Sequence, residues 1–116
     1  MFVKLLKSKL HRARVTQTRL HYPGSIGIDS ALMEAAGILP YELVLIADLN
    51  NGNRLETYVV PAEAGSGRIE ILGAAARLIE EKDILIIMGF GFYTPDEAKL
   101  HKPKVLVLDE KNKIRK

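Results

Sequence analysis

The apolar residues of this chain come in short runs of strand length, with turn residues between them. Runs of this kind, bounded by Gly, Asn and Pro, predict β-strands rather than helices. Two of the runs flank Asn51-Gly52, a pair that supplies the positive φ values of a tight hairpin turn. The predicted strands cover residues 2–7, 12–20, 26–28, 42–48, 54–60, 68–72, 83–90 and 104–108.

One segment, Ser30–Ala36, has clear helical character; Asp29 or Ser30 can cap its start and Gly37 can end it. A small-residue turn is expected at 73–76. Many strands, few helices and short turns favour a mainly β fold, a small closed barrel with one or two short helices. A β-sandwich is the alternative that the pattern leaves open. At 116 residues the chain has room for a single domain.

Composition narrows the class of protein. Hydrophobic residues make up 47% and charged residues 27%, which is typical of a globular protein. The chain has no cysteine, which excludes disulfides, thiolate zinc sites and cysteine nucleophiles and fits a reducing compartment. No apolar run reaches membrane-spanning length, and the first residues lack the pattern of a signal peptide. We therefore expect a cytoplasmic protein without a membrane partner.

Charge and glycine patterns could indicate other binding functions. The net charge is +3, with basic residues concentrated near both ends, so a non-catalytic basic barrel that binds nucleic acid or a protein partner is the alternative function. No nucleic-acid recognition motif accompanies the charge, and no nucleic-acid partner is expected. Gly65-Ser66-Gly67 lacks the Lys-Ser/Thr of a phosphate-binding loop. The three histidines have no metal-ligand spacing, so no metal is expected.

Four segments, taken together, point to a family. They are Lys9–Thr16 (KLHRARVT), Leu20–Asp29 (LHYPGSIGID), Asn51–Tyr58 (NGNRLETY) and Gly73–Arg77 (GAAAR). In this order and at these separations they resemble the aspartate 1-decarboxylase family, the pyruvoyl-dependent enzymes that make β-alanine for pantothenate synthesis. The resemblance extends over residues 2–112.

The resemblance implies a six-stranded double-psi β-barrel, a homotetramer and L-aspartate as substrate. It also implies that the chain is a proenzyme that cuts itself between Gly24 and Ser25. The products would be residues 1–24 (β chain) and residues 25–116 (α chain), with Ser25 converted to a covalent pyruvoyl group. Pyridoxal phosphate is then not required. One departure concerns Leu72, where the family often has Asn.

The chemistry of self-cleavage suits these residue types. Ser25 supplies a hydroxyl next to a peptide carbonyl, and Gly24 can adopt strained backbone angles without a side chain in the way. By resemblance, Thr57 donates a hydrogen bond to the developing oxyanion. The alternative for Pro23-Gly24-Ser25 is an ordinary turn.

Decarboxylation requires further residues, which the resemblance also supplies. The ketone would condense with the substrate amine, and Tyr58 would return a proton, since a phenol stays protonated at neutral pH. Arg54 has the planar fork that clamps a carboxylate, although it lies roughly 13 Å along a strand from Tyr58. A bulge or a site shared between subunits would bring the two together. Tyr58 could instead be an ordinary strand aromatic.

The first and the last of the four segments supply the further substrate contacts that the resemblance implies. Lys9 would lie near the substrate, or else be a solvated surface residue. The small residues Gly73, Ala74 and Ala75 would bind substrate through backbone N–H groups, because they allow close approach.

Overall fold

The computed structural model describes residues 1–115. Over that part of the chain it contains eight β-strands, two α-helices and a 3₁₀ helix at Gly73–Arg77. Lys116, the last residue of the expected domain, lies outside the described residues. The strands are β1 (Val3–Arg14), β2 (Gln17–Arg19), β3 (Ser25–Asp29), β4 (Leu43–Asp48), β5 (Arg54–Ala62), β6 (Ile69–Leu72), β7 (Ile84–Tyr93) and β8 (Lys104–Val107). The helices are α1 (Ser30–Ala36) and α2 (Pro95–Leu100).

The strands form one sheet in the order β2-β6-β3-β5-β4-β7-β1-β8. Residues 15–16 join β1 to β2, so this first stretch of chain pairs with β7 and then with β6. β1 and β2 therefore lie near opposite ends of the strand order although they are adjacent in the sequence. The mainly β prediction is confirmed. The sheet has eight strands rather than six because short β2 and β8 are added at its two ends; the closed double-psi form stays a prediction.

The strand β3 lies at the centre of the core. Its five residues are all buried, because β5 pairs with one edge and β6 with the other. The burial of apolar side chains on and around β3 is the main contribution to the stability of the fold. The fully buried aliphatic side chains around β3 include Leu10, Ile26, Ile28, Ile46, Ile69, Ile71, Leu85 and Ile87.

The predicted helix is confirmed at its predicted limits. The Asp29 side chain accepts a hydrogen bond from Ala31 N at 2.9 Å, and Gly37 ends the helix with φ of 74°.

The helix α2 was not predicted, although its signal was present in the sequence. Thr94 and Glu97 form a capping box around Pro95 at the first helical position.

The first strand differs from its prediction. Residues 2–7 and 12–20 were expected to form two strands, but β1 runs unbroken over Val3–Arg14. Two irregularities, between Leu6 and Ser8 and between His11 and Ala13, break the alternation that the sequence pattern relies on. Partners on both edges, β7 and β8, keep the strand continuous.

The Gly65–Gly67 loop binds an internal anion, the Asp29 carboxylate. Gly65 N and Gly67 N each donate to it at 2.9 Å. Burial opposes ionisation of Asp29, but the hydrogen bonds from Gly67, Gly65 and Ala31 outweigh burial and lower its pKa. This carboxylate therefore fixes the loop at the end of β3.

Within residues 1–115, no helix combines the length and the apolar character needed to cross a membrane.

Candidate active site

The Gly24–Ser25 bond lies where an exposed loop enters the core. Gly24 is exposed, whereas Ser25 is the first residue of β3 and only 3% exposed. Ser25 pairs with Leu72 on β6, and Ile26 pairs with Val59 on β5. The expected cleavage point is therefore held by two neighbouring strands on its Ser25 side, whereas Gly24 belongs to a loop.

Gly73 packs directly against this bond. It has φ of 79°, and a Cβ atom placed on it would lie 2.6 Å from Gly24 Cα. The same atom would lie 2.9 Å from Gly24 N and from Tyr22 O. Real Cβ atoms do not approach backbone so closely, so only glycine allows the segment before Ser25 to cross here.

A cavity of about 280 Å³ opens beside Gly24. Four of the residues predicted from the sequence line it: Gly24, Thr57, Ala74 and Ala75. Its remaining walls are Leu72, Leu55, Glu56 and Leu78. Small and apolar side chains dominate the lining, together with the carboxylate of Glu56. Leu72, the sheet partner of Ser25, provides an aliphatic wall.

Tyr58 lies next to this cavity in the sheet but does not line it. It immediately precedes Val59, the partner of Ile26, so Tyr58 and Ser25 occupy matching positions on parallel strands. The Tyr58 side chain is 38% exposed. Its ring contacts the ring of Tyr41, with centroids 6.2 Å apart and planes inclined by 37°.

Tyr41 is a residue near the site that the sequence reasoning missed. It has φ of 70°, a conformation that is unusual for a bulky side chain. Its N–H donates to Val59 O at 2.7 Å. The neighbouring Glu42 side chain holds the loop: its Oε1 accepts from Leu39 N at 3.0 Å, and its Oε2 accepts from Lys7 Nζ at 2.6 Å. The strained backbone thus fixes Tyr41 against Tyr58.

The hairpin between β4 and β5 supports the far wall of the cavity. The side-chain amides of Asn51 and Asn53 donate to Leu78 O at 3.0 and 2.9 Å. Leu78 follows the 3₁₀ helix that carries Ala74 and Ala75. The Asn-rich loop was predicted only as a turn; its second role, which is to position the 3₁₀ helix, depends on contacts that local sequence does not reveal.

Three of the predicted substrate-binding residues do not line the cavity: Gly73, which packs on Gly24 at its edge, and the cations Arg54 and Lys9. Arg54 is exposed at the start of β5 and pairs with Ala47, four positions from Tyr58. Lys9 is on β1, where Met88 and Val105 are its neighbours, and three strands separate β1 from β3 in the sheet order. Neither side chain lines the cavity beside Gly24.

The donor set fits a covalent group made from the chain itself. Ser25 is buried and does not itself line the cavity, but its neighbour Gly24 does. A ketone at position 25 would need no ligating side chain. Among residues 1–115, no three His, Cys, Asp or Glu side chains are arranged to hold a metal ion.

Comparisons with known proteins agree with the sequence motifs. A family model described as aspartate decarboxylase matches residues 1–115. An aspartate 1-decarboxylase of Listeria monocytogenes is 54% identical over 98% of this chain and 90% of its own. Aspartate 1-decarboxylases of Thermosipho africanus and Acetivibrio thermocellus are 56% and 55% identical over 95% and 98% of this chain, and over 90% of their own chains.

One solved structure, a computationally designed protein named msDPBB_sym2, is similar to 75% of this chain and 99% of its own, with a TM-score of 0.46 and 18% identity. The family-model match and the identities to the curated relatives cover nearly the whole sequence. The chain belongs to the aspartate decarboxylase family.

Proposed function

We propose that this chain is the proenzyme of a pyruvoyl-dependent decarboxylase that converts L-aspartate to β-alanine and CO₂. The observation that carries the proposal is the packing of Gly73 on Gly24, beside a cavity that Thr57 lines. The relatives named aspartate 1-decarboxylase support the reaction. Supply of β-alanine for pantothenate synthesis and a cytoplasmic location belong to the same proposal.

Self-cleavage begins with the Ser25 hydroxyl. Its Oγ attacks the Gly24 carbonyl carbon, the C–N bond breaks, and the hydroxyl proton passes to the nitrogen, which leaves an ester. Loss of the Ser25 Cα proton then breaks the Cβ–Oγ bond and releases residues 1–24 with a new carboxylate. Water replaces the remaining nitrogen, which departs as ammonia, and a pyruvoyl group remains. Thr57 is the proposed donor to the Gly24 oxyanion.

Burial of Ser25 favours this sequence of events. The Ser25 side chain has little access to bulk water, so few water molecules compete for its hydroxyl before it attacks. The sheet pairing of Ser25 with Leu72 fixes the hydroxyl-bearing residue, and the packing of Gly73 fixes the Gly24 backbone next to it. Reacting groups that are held next to each other reach attack geometry at a low entropic cost.

In the mature enzyme the pyruvoyl group supplies a ketone that binds the substrate amine and accepts electrons as the α-carboxylate leaves. The remaining roles fall to the chain's own side chains. Tyr58 would deliver a proton from its Oη to the carbon that lost CO₂. Backbone N–H groups of Gly73, Ala74 and Ala75 would orient the substrate.

Arg54 and Lys9 are the proposed contacts to the substrate carboxylates, and their position supports an assembly. A single copy does not bring either side chain to the cavity beside Gly24. In the proposed homotetramer a second copy would supply the missing cations. Large exposed apolar side chains, which an interface would bury, support this assembly; they include Phe2, Leu39, Tyr41, Leu43, Phe92 and Leu100.

The test is product formation from aspartate by purified protein. We expect wild type to release CO₂ and form β-alanine without added pyridoxal phosphate or metal, and Ser25→Ala to be inactive. Ser66→Ala is the matched control, because Ser66 also follows a glycine, in Gly65-Ser66. Loss of activity in both variants, or activity in Ser25→Ala, would exclude the proposal. Sedimentation should give four times the 12.9 kDa chain mass.

A further inference from the structure

A second cavity, of about 140 Å³, lies between β1 and the C-terminal segment. It shares no lining residue with the cavity beside Gly24. Three arginines line it, Arg12 and Arg14 from β1 and Arg115 from the end of the described chain, together with the carboxylates of Asp109 and Glu110. The volume is well above the roughly 10–15 Å³ that one water molecule requires.

Among residues 1–115, none of the three guanidinium groups lies within 4.0 Å of a carboxylate oxygen. Over residues 1–115, carboxylates within 4.0 Å of a basic side chain occur only in the pairs Lys7–Glu42 and Lys99–Asp96. Asp109, which lines the same cavity, accepts at its Oδ1 from Lys113 N and Lys111 N, each at 2.9 Å. These hydrogen bonds, with the nearby charge of Arg115, lower the pKa of Asp109, so Arg115 is near a carboxylate without pairing closely with it. The Nε of Arg14 is buried without a partner. A buried donor without an acceptor is costly, which marks Arg14 as a strained position of this wall.

The backbone that carries the three arginines is strained at Arg12 and is held by hydrogen bonds at Arg14 and Arg115. Arg12 has φ of 70° and lies at the irregularity between His11 and Ala13, where a bulge redirects side chains. The buried side chain of Asn112 accepts from Arg14 N and donates to Arg14 O, both at 2.8 Å. Arg115 N donates to Val107 O at 2.7 Å. Strained and doubly bonded backbone of this kind is typical of a functional position.

We propose that this cavity binds a small phosphate-class oxyanion, as inorganic phosphate or as the terminal group of a phosphate monoester. A guanidinium fork donates two parallel hydrogen bonds to such an anion. A tetrahedral anion has enough oxygens to accept from three forks at once, whereas a carboxylate offers one planar edge. The bound anion would offset the excess of positive charge that the three arginines leave over the carboxylates of Asp109 and Glu110.

Calorimetric titration of the full-length protein tests this site. Inorganic phosphate, glycerol 3-phosphate and succinate are titrated separately at constant ionic strength. We expect one phosphate-class anion per chain, and no binding of succinate at the same concentration. The phosphate compound that binds with the lower Kd shows whether the site takes free inorganic phosphate or the terminal group of a phosphate monoester. No heat from either one, or equal affinity for succinate, would overturn the proposal.

Variants locate the binding on the arginines. Arg14→Met and Arg115→Met keep most of the aliphatic stem and should each weaken phosphate binding by at least about tenfold. Arg115 is exposed, so its variant should fold even where Arg14→Met does not. Arg68→Met, an exposed arginine outside the cavity, is the matched control and should bind as wild type does. An equal loss in Arg68→Met would overturn the assignment.

A nucleic-acid backbone is the competing source of phosphate contacts. If single-stranded oligonucleotide binds through Arg14 and Arg115 while the small anions do not, the proposal is wrong. Because decarboxylation is not measured, these outcomes are independent of the proposed reaction.

Discussion

Gly73 and Gly24 are in backbone-to-backbone contact, so that a Cβ atom on Gly73 would lie 2.6 Å from the Gly24 Cα. The contact places the 3₁₀ helix on the segment that the proposed reaction must cut. It also explains why two glycines, separated by nearly fifty positions in the sequence, belong to one site. The close approach and the left-handed backbone of Gly73 both require glycine there.

Gly73→Ala should therefore impair self-cleavage by displacing the Gly24 segment. Gly52→Ala is the control, because Gly52 has φ of 78° and a Cβ atom there would meet no other atom within 4 Å. Both variants carry the left-handed cost of roughly 1–2 kcal/mol, and only the first disturbs Gly24. The fraction of cleaved chain over time, read by gel electrophoresis, should fall for Gly73→Ala alone. Equal cleavage in the two variants would contradict the role of the contact.

Thr57→Val tests the donor to the oxyanion. Valine has nearly the same shape as threonine, so the cavity wall is retained while the hydroxyl is lost. We expect the cleavage rate to fall by about a hundredfold, the effect typical of removing one such donor. Thr18→Val on β2 is the control, because Thr18 does not line the cavity. A normal cleavage rate in Thr57→Val, measured by mass spectrometry of time points, would exclude this role.

Tyr41 should affect catalysis more than folding. Tyr41→Gly relieves the strain of φ at 70° but removes the ring that contacts Tyr58. We expect its melting temperature to be unchanged or higher, while kcat of the cleaved enzyme falls. Tyr41→Phe keeps the ring and should retain kcat. If kcat stays at the wild-type value in Tyr41→Gly, the ring contact does not position Tyr58.

Asp48 should make the folded state pH-sensitive. Burial, together with hydrogen bonding and repulsion from Asp83, raises the pKa of Asp48 to about 6 from 3.8. A raised folded-state pKa means that the stabilising contribution is complete below about pH 4 and is lost as the pH rises through about 6. The loss is of the order of 2–3 kcal/mol, since one pKa unit corresponds to about 1.4 kcal/mol.

Asp48→Asn removes this titration, because an amide side chain does not ionise in this range of pH. The free energy of unfolding from denaturant titrations should fall between pH 4 and 7 in wild type, and should change less in the variant. Asp96→Asn, at an exposed position on α2, should keep the wild-type profile. Parallel profiles for wild type and Asp48→Asn would contradict the assigned pKa.

Local sequence signals were sufficient for elements that depend on neighbours in the chain. The helix Ser30–Ala36 followed from its Asp29 cap and from Gly37, and the β4–β5 hairpin followed from Asn51-Gly52. The limits of β1 could not be predicted in this way. Its continuity depends on hydrogen bonds from β7 and β8, strands that are distant in the sequence.

The residues of the candidate site also fall into those that local motifs predict and those that depend on tertiary contacts. Gly24, Thr57, Ala74 and Ala75 were predicted from motifs, and the fold brings them to one cavity. Tyr41 was missed because intrinsic preference opposes a positive φ at tyrosine, so only the tertiary contacts of its loop reveal it. The separation of Lys9 from this cavity follows from the strand order, which alternating patterns do not specify.

Intact-mass measurement of freshly purified protein tests the central claim most directly. We expect two chains, residues 1–24 ending in a free carboxylate and residues 25–116 beginning with a pyruvoyl group that blocks N-terminal sequencing. Ser25→Ala should give one uncut chain, and Ser66→Ala should give the same two chains as wild type. A wild-type chain that retains its full mass after prolonged incubation and carries an unmodified Ser25 would contradict the account.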